Sequence, residues 1–159
     1  MSPFDGLQMP ARLACDFFAV FSRFEFALKD SGYYYVNRRG RAAADWDRYF
    51  SHANATVLDD ADSELFESVQ YLMAEPPQVQ VAPDQWDQNV PLRGGPGSIG
   101  TALDAACRVR NNLFHGGKHT PHSPPGRDEK LVRSSLCLLR ACLKQDRQLA
   151  AAYEQPAVL

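Results

Sequence analysis

Residues 10–29, PARLACDFFAVFSRFEFALK, repeat their apolar side chains with the period of an α-helix. At about 100° per residue, one stripe collects six of them: Leu13, Phe17, Val20, Phe21, Phe24 and Leu28. The pattern predicts a long first helix that buries this stripe against the rest of the protein. Phe18 and Phe26 lie outside the stripe, which indicates a second packing surface, formed with a partner chain.

Four more helices are predicted along the chain, at about residues 45–53, 62–74, 98–114 and 128–153. Residues 76–97 are rich in proline and glycine and predict a long loop, within which Val79–Val81 favours a short strand. We expect Trp86 to hold this loop on the core and the loop to gate access to a cleft. Hardly any other strand signal is present. The sequence therefore predicts an all-α fold, a bundle of about five helices that forms a single domain over residues 1–159.

Composition and charge limit the cellular location and the binding partners that we expect for the protein. The four cysteines show no CxxC spacing and predict free thiols. No apolar run approaches the ~20 residues of a membrane span, and the N-terminus lacks a signal-peptide pattern, so we expect a cytoplasmic protein with no membrane partner. The net charge is −2, yet residues 105–144 hold eight basic and two acidic residues, or +6. This asymmetry indicates a local anion site, with a solvated helix face as the open alternative.

The stretch RVRNNLFHGGKH, residues 108–119, carries the densest group of polar side chains. Its helix has an apolar stripe that consists of Ile99, Leu103, Ala106, Leu113 and Phe114. Arg110 falls in the middle of this stripe, where a guanidinium must find an anion or reach water. A neighbouring polar stripe consists of Asp104, Arg108, Asn111 and His115, and Gly116 then ends the helix.

A purely structural interpretation of these side chains is available. Arg108 can pair with Asp104 one turn earlier, and Arg110 can form a buried pair with Glu25. His115 at a helix C-terminus interacts favourably with the helix dipole. Under this interpretation the stretch is only a well-capped helix end.

A metal site is disfavoured. His115, His119 and His122 would need a continuous helix for ligand spacing, and Gly116-Gly117 interrupts it. Neither a cysteine nor a carboxylate lies nearby to complete a ligand set. We therefore expect no metal and no other cofactor.

The remaining interpretation is metal-free phosphate chemistry. A histidine with a pKa near ~6.5 serves as acid or base at neutral pH. An arginine binds two phosphate oxygens and keeps its charge throughout a reaction. In RNA cleavage by 2′-OH attack, Arg110 would clamp the phosphate, His115 would transfer a proton, and Asn111 would orient the histidine or the substrate.

The segment RNNLFH, from Arg110 to His115, resembles the R-x4-6-H motif of the HEPN superfamily, in the form with asparagine directly after arginine. The resemblance implies a bundle of four or five helices in which two copies pair, so that both motifs line one cleft. It also implies a metal-independent endoribonuclease of toxin–antitoxin or antiviral systems. Arg110 and His115 would then be catalytic and Asn111 supporting. Arg108 also fits the motif spacing.

Five residues separate Arg110 from His115, which places them about 140° apart on an ideal helix. A shared site requires the helix to unwind, Arg110 to bend, or two subunits to contribute. Glu25 is the candidate acidic partner from the first helix. RNA would be held by basic side chains, for which the candidates are Lys118, His119, Arg133 and Arg140. The resemblance leaves an alternative, a non-catalytic HEPN-like helical module that binds a nucleotide or a protein partner such as an antitoxin.

Overall fold

The apolar stripe of residues 10–29 forms the centre of a helical bundle. The computed structural model of the protein describes residues 4–54, 63–83, 85–94, 99–114 and 123–156. The helices in this part of the chain are α1 (Ala11–Asp30), α2 (Trp46–Ala53), α3 (Ser63–Ala74), α4 (Ile99–Phe114), α5 (Arg127–Gln145) and α6 (Arg147–Glu154). The stripe of α1 is buried except for Val20, which is half-buried, and Phe18 and Phe26 are exposed as predicted.

Helix α5 lies against α1, α3 and α4, and α6 completes the core by packing on α1. The inner stripe predicted for this region is buried throughout: Leu131, Ser135, Leu138, Leu139, Cys142 and Leu149. The prediction of one helix over 128–153 is wrong, because the chain is extended at Asp146. The Asp146 carboxylate accepts a hydrogen bond from the Leu149 amide at 3.0 Å, so it caps a new helix and does not continue the old one.

Two β-hairpins correct the all-α prediction to a predominantly helical fold. Strands β1 (Tyr34–Val36) and β2 (Ala42–Ala44) pair antiparallel, as do β3 (Val79–Ala82) and β4 (Gln85–Asp87). The strand predicted at Val79–Val81 is confirmed. The second hairpin divides the segment predicted as one long loop at 76–97, with an irregularity in register between Gln80 and Ala82.

The four cysteines are free thiols, as predicted. Among the described residues, no group of histidine, cysteine, aspartate or glutamate side chains is arranged to hold a metal ion. No helix in this part of the chain combines the length and the apolar character needed to cross a membrane.

Helices α2 and α4 approach each other so closely at Gly100 that a side chain has no room. A methyl group there would lie 2.6 Å from Asn54 Oδ1 and 2.8 Å from the Phe50 carbonyl oxygen. Although alanine favours a helix by about 1 kcal/mol, we expect Gly100→Ala to lower the free energy of unfolding by about 1–3 kcal/mol, because the helices must separate. Urea unfolding followed by circular dichroism measures the change. A variant as stable as the wild type would contradict this close packing.

Candidate active site

Arg110 projects from the last turns of α4 toward α1 and meets an acid there. Its Nη2 donates a hydrogen bond of 2.5 Å to Glu25 Oε1, and the two side chains are 27% and 30% exposed. The Arg110 guanidinium carbon also lies 4.9 Å from the centroid of the Phe21 ring, within the range of a cation–π contact. The pairing of Arg110 with Glu25 that the structural interpretation anticipated is therefore present.

Glu25 is held from a second direction by the first residue of α2. The Trp46 indole Nε1 donates to the same Oε1 of Glu25 at 3.1 Å. The indole is fixed by packing, since it stacks on the Phe24 ring with 5.6 Å between centroids and 3° between planes. Among the described residues, Glu25 Oε2 accepts no hydrogen bond. One carboxylate oxygen therefore accepts from both Trp46 and Arg110 and positions the guanidinium.

The Arg110 guanidinium retains unused donors. Its Nε is buried and makes no hydrogen bond to any described residue. Within the same part of the chain, Nη1 also lacks an ion-pair or hydrogen-bond partner. A guanidinium that is oriented on one edge by a carboxylate and on one face by an aromatic ring can present the N–H groups of Nη1 to an oxyanion, whereas the buried Nε is out of reach of a ligand from solvent. This arrangement is chemically suited to binding a phosphate.

Arg108 lies on a different side of α4 and is engaged with the loop before it. Its Nη1 and Nη2 donate to the carbonyl oxygens of Val90 and Pro91 at 2.8 and 2.5 Å. Nη2 also lies 3.3 Å from Asp104 Oδ2, which is the pairing one turn apart that the sequence allowed. The side chain is only 11% exposed. These contacts hold the loop against α4, and they favour Arg110 over Arg108 as the arginine with donors to spare.

The two asparagines after Arg110 lie on different faces of the helix. Asn111 is exposed, and Asn112 donates to the carbonyl oxygen of Gln78 at 2.7 Å, which ties α4 to the residue just before β3. His115, Lys118 and His119, predicted as catalytic or RNA-binding, lie outside the described residues.

An aromatic pair between α1 and α4 lies one helical turn from Arg110. Phe114, one turn after Arg110, meets Phe18 edge to face with 5.0 Å between ring centroids. Phe18 and Phe114 are 55% and 37% exposed. Phe18 therefore packs on Phe114 of its own chain, and its packing on a partner chain stays a prediction. Phe114 was expected in the buried stripe of α4 and instead lies at its edge.

Cys107, one turn before Arg110 and Asn111, has no part in nucleophilic chemistry. Burial, and secondarily the charge of Asp104, raises the pKa of this thiol well above its usual range. The sulfur is therefore protonated at neutral pH and behaves as a small apolar side chain.

The basic residues predicted on α5 lie on its exposed side. Arg133 Nε donates to Glu129 Oε1 at 2.8 Å, one turn earlier, and Arg140 is exposed. No ion pair or hydrogen bond within the described part of the chain links either residue to Arg110. Their exposure leaves them accessible to a polyanion.

A separate cleft of about 700 Å³ opens on the other face of α4. Val109, Asn112 and Leu113 form one wall, and the start of α5 with the chain before β3 forms another. Arg127 donates to the carbonyl oxygens of Glu75 and Pro76 at 3.1 and 3.2 Å and thereby joins two walls of the cleft. Trp86, which was expected to hold its loop on the core, is half-buried and lines this cleft, and its anchoring role stays a prediction. Sequence patterns did not indicate the cleft, because its walls come from five separate segments of the chain.

Comparison with known proteins found no relative of the chain. The chain matches no family model, no curated protein and no solved structure.

Proposed function

We propose that the protein is a metal-independent endoribonuclease of the toxin or antiviral-defence type, with Arg110 as the phosphate clamp and His115 as the proton-transfer group. The proposal rests on the hydrogen bonding and exposure of the Arg110 guanidinium. Its guanidinium is oriented by Glu25 and Phe21, yet its Nη1 has no partner within the described residues and the side chain is 27% exposed. An arginine that served packing alone would be expected to have its donors satisfied.

The proposed reaction is internal phosphoryl transfer. The 2′-oxygen attacks the phosphorus, the bond from phosphorus to the 5′-oxygen breaks, and the products are a 2′,3′-cyclic phosphate and a 5′-hydroxyl. Arg110 binds the non-bridging oxygens, on which negative charge accumulates in the transition state. His115 transfers the proton, since an imidazole exchanges protons at neutral pH. Asn111, exposed beside Arg110, orients the substrate or the imidazole.

A homodimer completes the proposed site. The exposed rings of Phe18 and Phe114 form an apolar surface directly beside Arg110, and a second copy covers such a surface at little cost. Pairing through this surface places two motifs in one cleft. One His115 then takes the proton of the 2′-hydroxyl while the other protonates the 5′-oxygen. The exposed Arg133 and Arg140, with Lys118 and His119, hold the RNA backbone.

Incubation with single-stranded RNA in excess EDTA tests the chemistry. We expect cleavage to persist, because none of the proposed groups needs a metal, and we expect 2′,3′-cyclic phosphate ends on the products. Mass spectrometry of the fragments identifies these ends. An EDTA-treated sample that has lost all activity, or products that carry a 5′-phosphate, would contradict the mechanism.

The cleft of about 700 Å³ supports a second candidate function, that of a non-catalytic module that binds a nucleotide. Its volume lies in the range of small-molecule sites, and the side chains of Asn112 and Gln78 offer hydrogen-bonding groups at its wall. Isothermal titration with nucleoside mono- and triphosphates tests this candidate. Binding that Asn112→Leu abolishes, in a protein without RNA cleavage, would favour the binding module.

A further inference from the structure

The first hairpin, formed by β1 and β2, carries side chains that the proposed chemistry does not use. Its sequence from Tyr33 to Ala44, YYYVNRRGRAAA, combines three tyrosines with three arginines and contains no acid. Tyr34, Tyr35 and Val36 are 49%, 52% and 63% exposed. Such a concentration of exposed aromatic and cationic side chains on one small element is unusual for a hairpin that serves only to connect two helices.

The pairing of the strands leaves the rings uncovered. Tyr34 lies opposite Ala44, Tyr35 opposite Ala43, and Val36 opposite Ala42. Since cross-strand side-chain pairs stabilise a sheet, a hairpin selected for stability alone would be expected to oppose its tyrosines with larger side chains. Successive residues point to opposite faces of the strand, so Tyr34 and Tyr35 present one ring on each face.

The turn that carries the arginines is fixed by its own hydrogen bonds. Asn37 Oδ1 accepts from the backbone amides of Arg39 and Arg41 at 2.9 and 3.1 Å. The amides of Asn37 and Gly40 close the loop through further backbone bonds, and Gly40 has a φ of 71°, which suits glycine. The loop is therefore pre-organised, which lowers the entropy cost of binding a ligand through it.

The turn of this hairpin carries three arginines. Arg38, Arg39 and Arg41 are all exposed, and none forms an ion pair with a described residue. They place a charge of +3 on a short projection of a chain whose net charge is −2. A cationic projection with flanking aromatic rings is complementary to a polyanion that also has flat, stackable groups.

The hairpin is anchored next to the candidate active site. Tyr33 donates its amide to the Leu28 carbonyl oxygen at 2.8 Å, and Arg48 donates to the Gly32 carbonyl oxygen at 3.2 Å. Strand β2 packs on α1 and leads through Asp45 directly into Trp46, whose indole binds Glu25. The hairpin is thus connected through Trp46 to the Glu25 end of the Arg110–Glu25 pair.

We infer that this hairpin is a binding element for single-stranded RNA, in which bases stack on Tyr34 and Tyr35 while the turn arginines contact phosphates. The inference rests on the proposed function for its choice of ligand. Neither stacking on aromatic rings nor contact with phosphates depends strongly on which base is present. The hairpin therefore holds RNA without selecting a particular base.

Binding, measured separately from cleavage, tests the inference. The protein is titrated into a fluorescently labelled 12-nucleotide RNA whose 2′-hydroxyls are methylated, so that cleavage by 2′-OH attack is blocked. We expect the Arg38→Gln/Arg39→Gln variant to raise Kd about tenfold or more at low salt and to reduce the slope of log Kd against log salt by about 1. We expect Tyr34→Thr/Tyr35→Thr, which keeps residues that favour strands, to raise Kd at least about fivefold.

Two matched variants control for charge and exposure. Arg12→Gln/Arg147→Gln removes the same charge from two exposed positions elsewhere, and Phe66→Ala removes a 43% exposed ring from α3. Neither should change Kd by more than about twofold, as expected of surface positions outside a binding site. A charge control that weakens binding as much as the hairpin variant would overturn the inference. Competition by poly-glutamate at the same charge concentration as RNA would also overturn it, in favour of an acidic protein partner.

The inference and the proposed function fail independently. If the wild type cleaves RNA and the hairpin variants bind and cleave as it does, the hairpin inference is wrong and the nuclease stands. If no cleavage occurs but the hairpin variants lose affinity for RNA, the nuclease is wrong and the hairpin binds RNA without chemistry.

Discussion

Replacement of Asp104 by alanine is expected to lower the free energy of unfolding by about 3–5 kcal/mol, the cost typical of removing one partner from a buried ion pair. Asp104 is only 2% exposed and binds two arginines. Its Oδ1 accepts from Arg93 Nε and Nη2 at 2.9 and 2.7 Å, and its Oδ2 accepts from the Arg93 amide at 3.0 Å. Without this carboxylate, Arg108 stays largely buried with no opposite charge nearby among the described residues. Chemical unfolding followed by circular dichroism measures the loss.

Asp47 provides the matched control for this prediction. It forms an ion pair with the same Arg93, at 2.8 Å, but its side chain is 70% exposed. An exposed pair contributes about 0–1 kcal/mol, so Asp47→Ala should change the free energy of unfolding by no more than that. Equal effects of the two substitutions would mean that Asp104 stabilises the fold no more than a surface carboxylate does.

Local periodicity predicted the parts of the fold that depend on neighbours along the chain. The stripes of α1 and α5 are buried because residues three and four apart share one face of a helix wherever that helix packs. The pairs Arg108–Asp104 and Arg110–Glu25 are both present. The first follows from helix geometry, and the second follows because a charge in an apolar stripe requires an acid on the helix it packs against.

The features that sequence reasoning missed depend on contacts between distant segments or on local side-chain hydrogen bonds. The contact of Trp46 with Glu25 joins residues 21 positions apart and has no periodic signature. The break at Asp146 depends on one carboxylate that caps α6. The first hairpin could have been predicted from the sequence, because Tyr-Tyr-Tyr-Val favours a strand and Asn37 with Gly40 favours a turn.

Substitution of Arg110 or His115 by alanine is expected to slow RNA cleavage by about 10²–10⁴-fold, the range for loss of an oxyanion donor or of an acid–base group. Arg110→Lys should be nearly as inactive as Arg110→Ala, because lysine keeps the charge but loses the planar fork that binds two phosphate oxygens. Single-turnover rates at saturating RNA measure the loss. The unfolding free energy of each variant, measured in parallel, shows whether the fold is intact at the assay temperature.

Substitution of Glu25 distinguishes a catalytic role of Arg110 from a purely structural one. Glu25→Gln keeps an acceptor for Trp46 and Arg110 but removes the charge, and we expect it to slow cleavage about tenfold by loosening the guanidinium. If Glu25 acts only through Arg110, the Glu25→Gln/Arg110→Ala double variant is no slower than Arg110→Ala alone. If instead Arg110→Ala lowers the free energy of unfolding by several kcal/mol and the folded fraction cleaves RNA at the wild-type rate, the pair joins α1 to α4 and has no part in catalysis. Stability and rate measured on the same four proteins therefore distinguish the two roles.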